Sequence, residues 1–273
     1  MENQKTGLLK SWVQVPQNSD FTIYNLPFGI FRNKRLSPRA GIAIGDKIVD
    51  LSALQEAGFL SDIKLSDDIF LQEFLNPFIG LGKPTTKKVR ERVQQLLNED
   101  NSDLKDHQAR GKIMVGLKEA EMMMPVAIGN YTGFVSPSEQ GMMEGGAHIH
   151  PPINGAPFGY HGRSSSVVLS GTGVYRPKGP IRSQGSDRLD FGPSKKLDFE
   201  MEIAFVVGRN DKMGESIGVN EAEEYLFGMV MLNDWTARDI QEGEGGSFVP
   251  SSSKNYASSI SPWIVTLDAL EDF

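Results

Sequence analysis

A mainly β fold with some helix, of the α+β class, follows from three features of this 273-residue sequence. Glycine is abundant (29) and proline frequent (15), which supplies the punctuation that many short strands and turns need. Gly41-Ile42-Ala43-Ile44 and Lys47-Ile48-Val49-Asp50-Leu51 flank Gly45-Asp46, two strand-like runs around a two-residue turn, and this predicts a tight hairpin. Residues 197–205 alternate apolar and acidic with period two: Leu197, Phe199, Met201 and Ile203 on one side, Asp198, Glu200 and Glu202 on the other. Successive side chains on a strand point to opposite faces, so the three acids share a face, neighbours roughly 6–7 Å apart. On a helix Glu200 and Glu202 would diverge, so the run is predicted to be a strand ended by Gly208.

Three carboxylates on one face repel one another unless water, a base or a cation compensates. A divalent metal is the compact solution, because hard cations take carboxylate oxygens. A solvated face of an antiparallel sheet explains the same pattern. On this stretch alone both readings stand open.

Composition narrows the field. The length suits one large or two modest domains with a sizeable core. A formal net charge of −7, with no basic run interleaved with aromatics, argues against a nucleic-acid surface. With no cysteine, disulfides, thiolate metal sites and thiol nucleophiles are excluded, and a cytoplasmic setting is expected. No signal-peptide pattern opens the chain, and no apolar run approaches membrane-spanning length, so no membrane partner is expected.

In chain order, residues 1 to about 35 read as irregular with short apolar patches, among them Phe28-Gly29-Ile30-Phe31. Residues 84–98 read as an amphipathic helix, with Pro84 in its first turn and Val89, Val93, Leu96 and Leu97 on one face. Charged sequence from Glu99 to Lys112 reads as a linker or domain edge, and the domain boundary is placed at 118, giving domains 1–118 and 119–273. Met122-Met123-Met124 are expected to fill a core rather than bind a soft metal, since adjacent methionines do not share a face. His148-Ile149-His150 offers a possible imidazole pair, but Pro151-Pro152 and the lack of further ligands nearby favour an exposed loop.

Gly159-Tyr160-His161-Gly162-Arg163 reads as a loop whose glycines let backbone approach an anion; a plain turn reads almost as well. Asn220–Tyr225 reads as helical. Phe227–Leu232 reads as a buried strand stopping at Asn233-Asp234, where Asp234 can either complete an oxygen cluster with Glu200 and Glu202 or cap the following turn. Lys254, near the end of the Gly- and Ser-rich loop 243–253, can stabilise an oxyanion or simply be solvated.

Together, Phe199-Glu200-Met201-Glu202-Ile203-Ala204-Phe205, Asn233-Asp234-Trp235-Thr236-Ala237-Arg238-Asp239-Ile240-Gln241 and Gly159-Tyr160-His161-Gly162-Arg163 resemble the fumarylacetoacetase family. The resemblance runs from about Ser11 to the last residue, including Leu26-Pro27-Phe28-Gly29-Ile30-Phe31 and Ser261-Pro262-Trp263. It implies a small N-terminal β-barrel-like domain followed by a C-terminal catalytic β-roll, usually in homodimers. It implies hydrolysis of a carbon–carbon bond in a β-diketo acid, the last step of tyrosine breakdown, with Ca²⁺ or Mg²⁺ as Lewis acid. By position, Glu200, Glu202 and Asp234 match three of the family's four carboxylate ligands, and Ser258 stands where a threonine near the metal is usual. Tyr160 and Gln241 match substrate-binding residues, and Lys254 the lysine that meets developing negative charge.

The departures fall on the same machinery. In Asn130-Tyr131-Thr132-Gly133-Phe134-Val135-Ser136-Pro137-Ser138-Glu139-Gln140 the fourth metal carboxylate falls on Gly133, a substrate tyrosine on Val135 and the catalytic histidine on Gln140. A further tyrosine falls on Gly245, and a substrate-binding arginine before Gly159 has no counterpart. Glutamine lacks a usable acid–base pair, so Gln140 at that position orients water at most. Family members continue beyond position 273, and the resemblance places the rest of the roll, with the histidine's acidic partner, in that part. The alternative class is a non-catalytic relative that binds a divalent metal or a small carboxylic acid.

Overall fold

The structure, a computed structural model, describes residues 9–135, 158–182, 188–244 and 252–271. Its fold is mainly β with few helices, and chain contacts divide it into two units. The first takes residues 1–127, 204–230 and 262–273; the second takes 128–203 and 231–261. The boundary expected at 118 falls inside the first unit.

In the first unit the patch expected to be irregular is strand β1 (Phe28–Arg32). It is held on one side by β2 (Arg39–Ile44), which turns at Gly45-Asp46 into β3 (Lys47–Asp50). Gly45 has φ +55°, the left-handed conformation that a two-residue hairpin turn demands. Two partners, not local pattern, make β1 a strand, because β5 (Glu121–Met123) pairs its other side. Strand β4 (Met114–Gly116) completes the order β4-β3-β2-β1-β5. Met122 packs against a cluster of Phe31, Ala43, Ile48, Val115 and Trp263, the gap-filling role its flexible thioether suits.

Helix α1 (Leu51–Glu56) follows β3 directly, and a short α2 covers Asn76–Ile79. Helix α3 (Lys83–Leu97) buries Val89, Val93, Leu96 and Leu97 as its periodicity predicts, with Pro84 in the first turn. The stretch from Glu99 is mostly turns and ends in α4 (Arg110–Ile113). Phe28 stacks within 5.4 Å of the Phe78 ring and 5.7 Å of the Phe227 ring, centroid to centroid, in the middle of this core.

Asp50 caps α1: its buried carboxylate accepts the Ala53 N–H at 3.0 Å and meets Arg39 Nη1 at 3.2 Å. Burial pushes this carboxyl above its ordinary value, against the pull of the Ala53 N–H and Arg39. Its contribution to stability is therefore full below the unfolded value, near 3.9, and is lost as pH rises through the folded value. Asp50→Asn keeps a capping oxygen and is expected to flatten that part of the stability–pH curve. Urea titrations at pH values from about 3 to 7 check this, and an unchanged slope overturns it.

The second unit begins with β6 (Thr132–Val135) paired to β7 (Phe158–His161), so that Gly133 lies opposite Tyr160. The expected loop at 159–163 is thus a strand as far as His161, because β6 supplies the ladder that local sequence does not reveal. Then come β8 (Val167–Leu169), the antiparallel pair β9 (Lys178–Arg182) and β10 (Leu189–Pro193), and β11 (Leu197–Asp198). The predicted continuous acidic strand is broken here: β11 stops at Asp198 and β12 runs Met201–Val207. Side chains take the missing ladder bonds, since the Phe199 N–H donates to Asp198 Oδ1 and the Glu200 N–H to Asn233 Oδ1.

The helix expected at Asn220–Tyr225 is a 3₁₀ helix, Val219–Tyr225, leading into β13 (Leu226–Asp234). Strand β13 runs through Asn233 and Asp234 rather than stopping before them, and Met231 faces outward from it. A short β14 (Thr236–Ala237) pairs with β11, and helix α5 (Arg238–Gly243) starts at once. Strand β15 (Ser258–Ile260) pairs antiparallel with the end of β13 and parallel with β8, setting Asp234 opposite Ser258. In the first unit, β16 (Val265–Thr266) pairs with the opening residues of β13.

On β12 the usual burial is inverted. The apolar side is exposed, Met201, Ile203 and Phe205 included, while Glu202 on the acidic side is only part-exposed. A row of large apolar side chains on an edge strand promotes association. Ile203 is 61% exposed, so Ile203→Thr should change stability by no more than about 0.5 kcal/mol while lowering self-association in sedimentation. A stability loss above about 1 kcal/mol would mean that this face is covered in solution.

Candidate metal and hydrolytic site

Glu200 stands at the break between β11 and β12, Glu202 on β12 and Asp234 at the end of β13. The Asp234 N–H donates to the Glu200 carbonyl at 2.9 Å, which locks the two residues side by side. One carboxylate oxygen from each of the three acids lies within 4.8 Å of the others. Two oxygens bound to one ion at about 2.6 Å apiece can be at most about 5.2 Å apart, so the spacing and the all-oxygen donor set fit a hard divalent cation. Among the described residues this is the one cluster of its kind. Asp198, on the same predicted face, lies outside it and is claimed by Arg238.

The cluster is already furnished with donors. The Lys254 ammonium, buried to 6% exposure, bridges Glu200 Oε2 at 2.7 Å and Asp234 Oδ2 at 2.9 Å. Tyr160 Oη donates to the same Asp234 Oδ2 at 2.6 Å, and Ser258 Oγ reaches Oδ1 at 3.4 Å. On the other flank Arg238 Nη1 is 2.7 Å from Glu200 Oε1 and its Nε 3.0 Å from Asp198 Oδ2, while Thr236 Oγ1 donates to Glu200 Oε1 at 3.1 Å. Asp234 is therefore no helix cap: α5 begins after Ala237, without a side-chain cap bond. Burial and then the charge of Asp234 push the Tyr160 phenol far above its ordinary value, so near neutral pH it is a donor. The Arg238 guanidinium holds the Asp198 carboxyl below the usual carboxylate range.

Helix α5 carries Gln241, whose Oε1 accepts from Arg238 Nη1 at 3.4 Å. The helix is anchored by Asp239, which takes the Ser194 hydroxyl and the Lys195 N–H, each at 2.6 Å. Ser258 also meets the Tyr131 hydroxyl at 3.1 Å. The structure thus gathers Glu200, Glu202, Asp234, Ser258, Tyr160 and Lys254, with Gln241 linked through Arg238. Gln140, Glu139, His148, His150 and Gly245 lie outside the described residues. Sequence reasoning missed Arg238, Thr236 and Tyr131. For Arg238 the signal was legible, a cation four residues after Asp234 on the turn leaving a strand end. Nothing in the local pattern marks Thr236 or Tyr131.

A mixed β fold that brings three carboxylates together beside a buried lysine and a tyrosine defines a class of oxygen-donor sites suited to a hard divalent cation. Residues 24–125 match the family model for the fumarylacetoacetase N-terminal domain and residues 129–273 that for the fumarylacetoacetate (FAA) hydrolase C-terminal domain, and the chain belongs to this family. It is 44% identical over 276 residues to the fumarylacetoacetase of Arabidopsis thaliana, covering 98% of this chain and 66% of that one. It is 39% identical over 272 residues to the fumarylacetoacetase of Homo sapiens, covering 96% and 65%. The chain therefore spans just under two thirds of the curated relatives it matches. Among solved structures, a fumarylacetoacetate hydrolase from psychrophilic Exiguobacterium antarcticum aligns at 20% identity with a TM-score of 0.46, over 89% of this chain and 67% of that one. Among the described residues no helix is long and apolar enough to cross a membrane.

Proposed function

We propose that the chain carries metal-assisted hydrolase chemistry on a carbon–carbon bond of a β-diketo acid, cleaving fumarylacetoacetate to fumarate and acetoacetate, at a rate limited by its altered base position. The observation that carries this is the convergence of Glu200, Glu202 and Asp234 beside the buried Lys254. Those three acids, with Ser258, would hold Ca²⁺ or Mg²⁺, which supplies Lewis acidity toward the diketo oxygens when bound. Lysine has three N–H donors, and two of those on Lys254 go to Glu200 and Asp234. Among the described residues no partner takes the third, which can meet an oxygen on which negative charge develops as the bond breaks. Gln241, tied to Arg238, contributes its amide to substrate binding. Gln140 takes the position of the family's base and contributes by orienting water.

A homodimer and a cytoplasmic setting belong to the same proposal, supported by the exposed apolar row of β12 and by a cysteine-free composition suited to a reducing compartment. The test is release of fumarate and acetoacetate with Mg²⁺ or Ca²⁺ present, beside Glu202→Gln. Slow turnover that the variant abolishes supports the reading; turnover indifferent to Glu202 sinks it.

A further inference from the structure

Strands β6 and β7 place a glycine directly opposite a tyrosine. A Cβ added at Gly133 would stand 2.6 Å from the Tyr160 ring carbons Cε1 and Cζ, and 2.8 Å from Oη. The ring covers the bare backbone of Gly133, the way an aromatic side chain shields a cross-strand glycine. From that seat its hydroxyl reaches Asp234 Oδ2 at 2.6 Å, the oxygen that Lys254 also holds at 2.9 Å. The Lys254 ammonium in turn stands 5.9 Å from the centre of the Tyr160 ring, at the edge of cation–π range. Tyr160 is buried, so its position is fixed by packing as well as by these bonds.

We propose that Tyr160 is a built-in competitor of metal binding, seated over Gly133 and sharing Asp234 Oδ2 with Lys254 so that this oxygen is withheld from an ion. Residue 133 therefore weakens ion binding twice. It supplies no carboxylate, and its missing side chain lets the ring lie where a side chain would stand. The role is specific to this chain's Gly133–Tyr160 pair, and it rests on the reading of Glu200, Glu202 and Asp234 as a metal site. An ion that takes this oxygen competes with the bond from Tyr160 for its electron density, and a hydrogen bond to a charged acceptor is among the stronger ones. Removing only the hydroxyl should leave that oxygen to Lys254 alone, without adding any ligand.

The experiment is calorimetric titration of Mg²⁺ and of Ca²⁺ into the wild-type chain, Tyr160→Phe, Gly133→Asp and the double variant, with circular dichroism as the control for folding. Tyr160→Phe should bind about tenfold more tightly than wild type, the range expected on losing one charge-assisted hydrogen bond. Gly133→Asp should also tighten binding, since it adds an acid and displaces the ring. In that background Tyr160→Phe should add less than about twofold, because both changes free the same oxygen and neighbouring substitutions on one atom are not additive. Gly133→Ala, which pushes the ring aside and contributes no ligand, is the second route to the same gain should Tyr160→Phe misfold. Equal or weaker binding by Tyr160→Phe, or a full tenfold gain repeated in the Gly133→Asp background, overturns the competitor role while leaving the metal site intact. No binding by any of the four proteins overturns the metal-site reading along with it.

Discussion

Lys254→Met is expected to cost about 3–5 kcal/mol of folding stability in the presence of a chelator, and most of that should return when Mg²⁺ or Ca²⁺ is added. The methionine fits the volume and keeps the apolar stem, so packing changes little; what goes is the charge. Without it, among the described residues Asp234, 1% exposed, keeps the hydroxyls of Tyr160 and Ser258, and Glu200 keeps Arg238 and Thr236. Removing one member of a buried pair leaves an uncompensated charge, which is why the cost exceeds the net worth of the bridge itself. Three neighbouring carboxylates then need another cation. A divalent ion at a hundred times its Kd returns about 2.7 kcal/mol by mass action alone. Urea denaturation in chelator and in each metal reads both numbers. A variant as stable as wild type in chelator would show that Lys254 does not hold the acids together.

Much of this site is legible in the sequence because its chemistry is written in strand alternation. The spacing of Glu200 and Glu202 and the strand-end position of Asp234 leave a cluster open beside a solvated face or a cap. The family resemblance favours the cluster, and the structure brings one oxygen of each within 4.8 Å of the others. The hairpin at Gly45-Asp46 and helix α3 were equally readable, one from turn chemistry and the other from a long 3.6-residue period. Strands β1 and β7 were not, since each owes its form to partners distant in sequence rather than to its own composition. Two local features also escape pattern reasoning. The break at Phe199-Glu200 arises because the Asp198 and Asn233 side chains take backbone bonds that a ladder would otherwise hold. The burial of β12 runs against its hydrophobicity, with Ile203 exposed and Glu202 only part-exposed. Alternation tells which side chains share a face; it does not tell which face is covered.

Turnover of fumarylacetoacetate by this chain, with Mg²⁺ or Ca²⁺ present, should fall roughly 10²–10⁴-fold below that of an enzyme with its base in place. Against a typical enzymatic kcat of about 10 per second, that is no more than about 0.1 per second. The reaction needs a group that takes a proton from the attacking water, and neither Lys254 nor Tyr160 offers one. Lys254 is a donor paired to two acids, and the Tyr160 phenol, pushed up by burial and by Asp234, donates as well. Glu200 and Asp234 are engaged by Lys254, Arg238 and Tyr160. Gln140, at the position of the family's histidine, carries an amide that neither gains nor loses a proton near neutral pH. The rate should therefore show no histidine-like inflection between about pH 6 and 8. Gln140→His alone should recover only part of the deficit, because Gly133 still leaves the cluster one carboxylate short. Steady-state assays across pH, on wild type, Gln140→His and Gln140→His with Gly133→Asp, decide the matter. Turnover at an ordinary enzymatic rate that His148→Ala or His150→Ala abolishes would overturn this account and identify a relocated base.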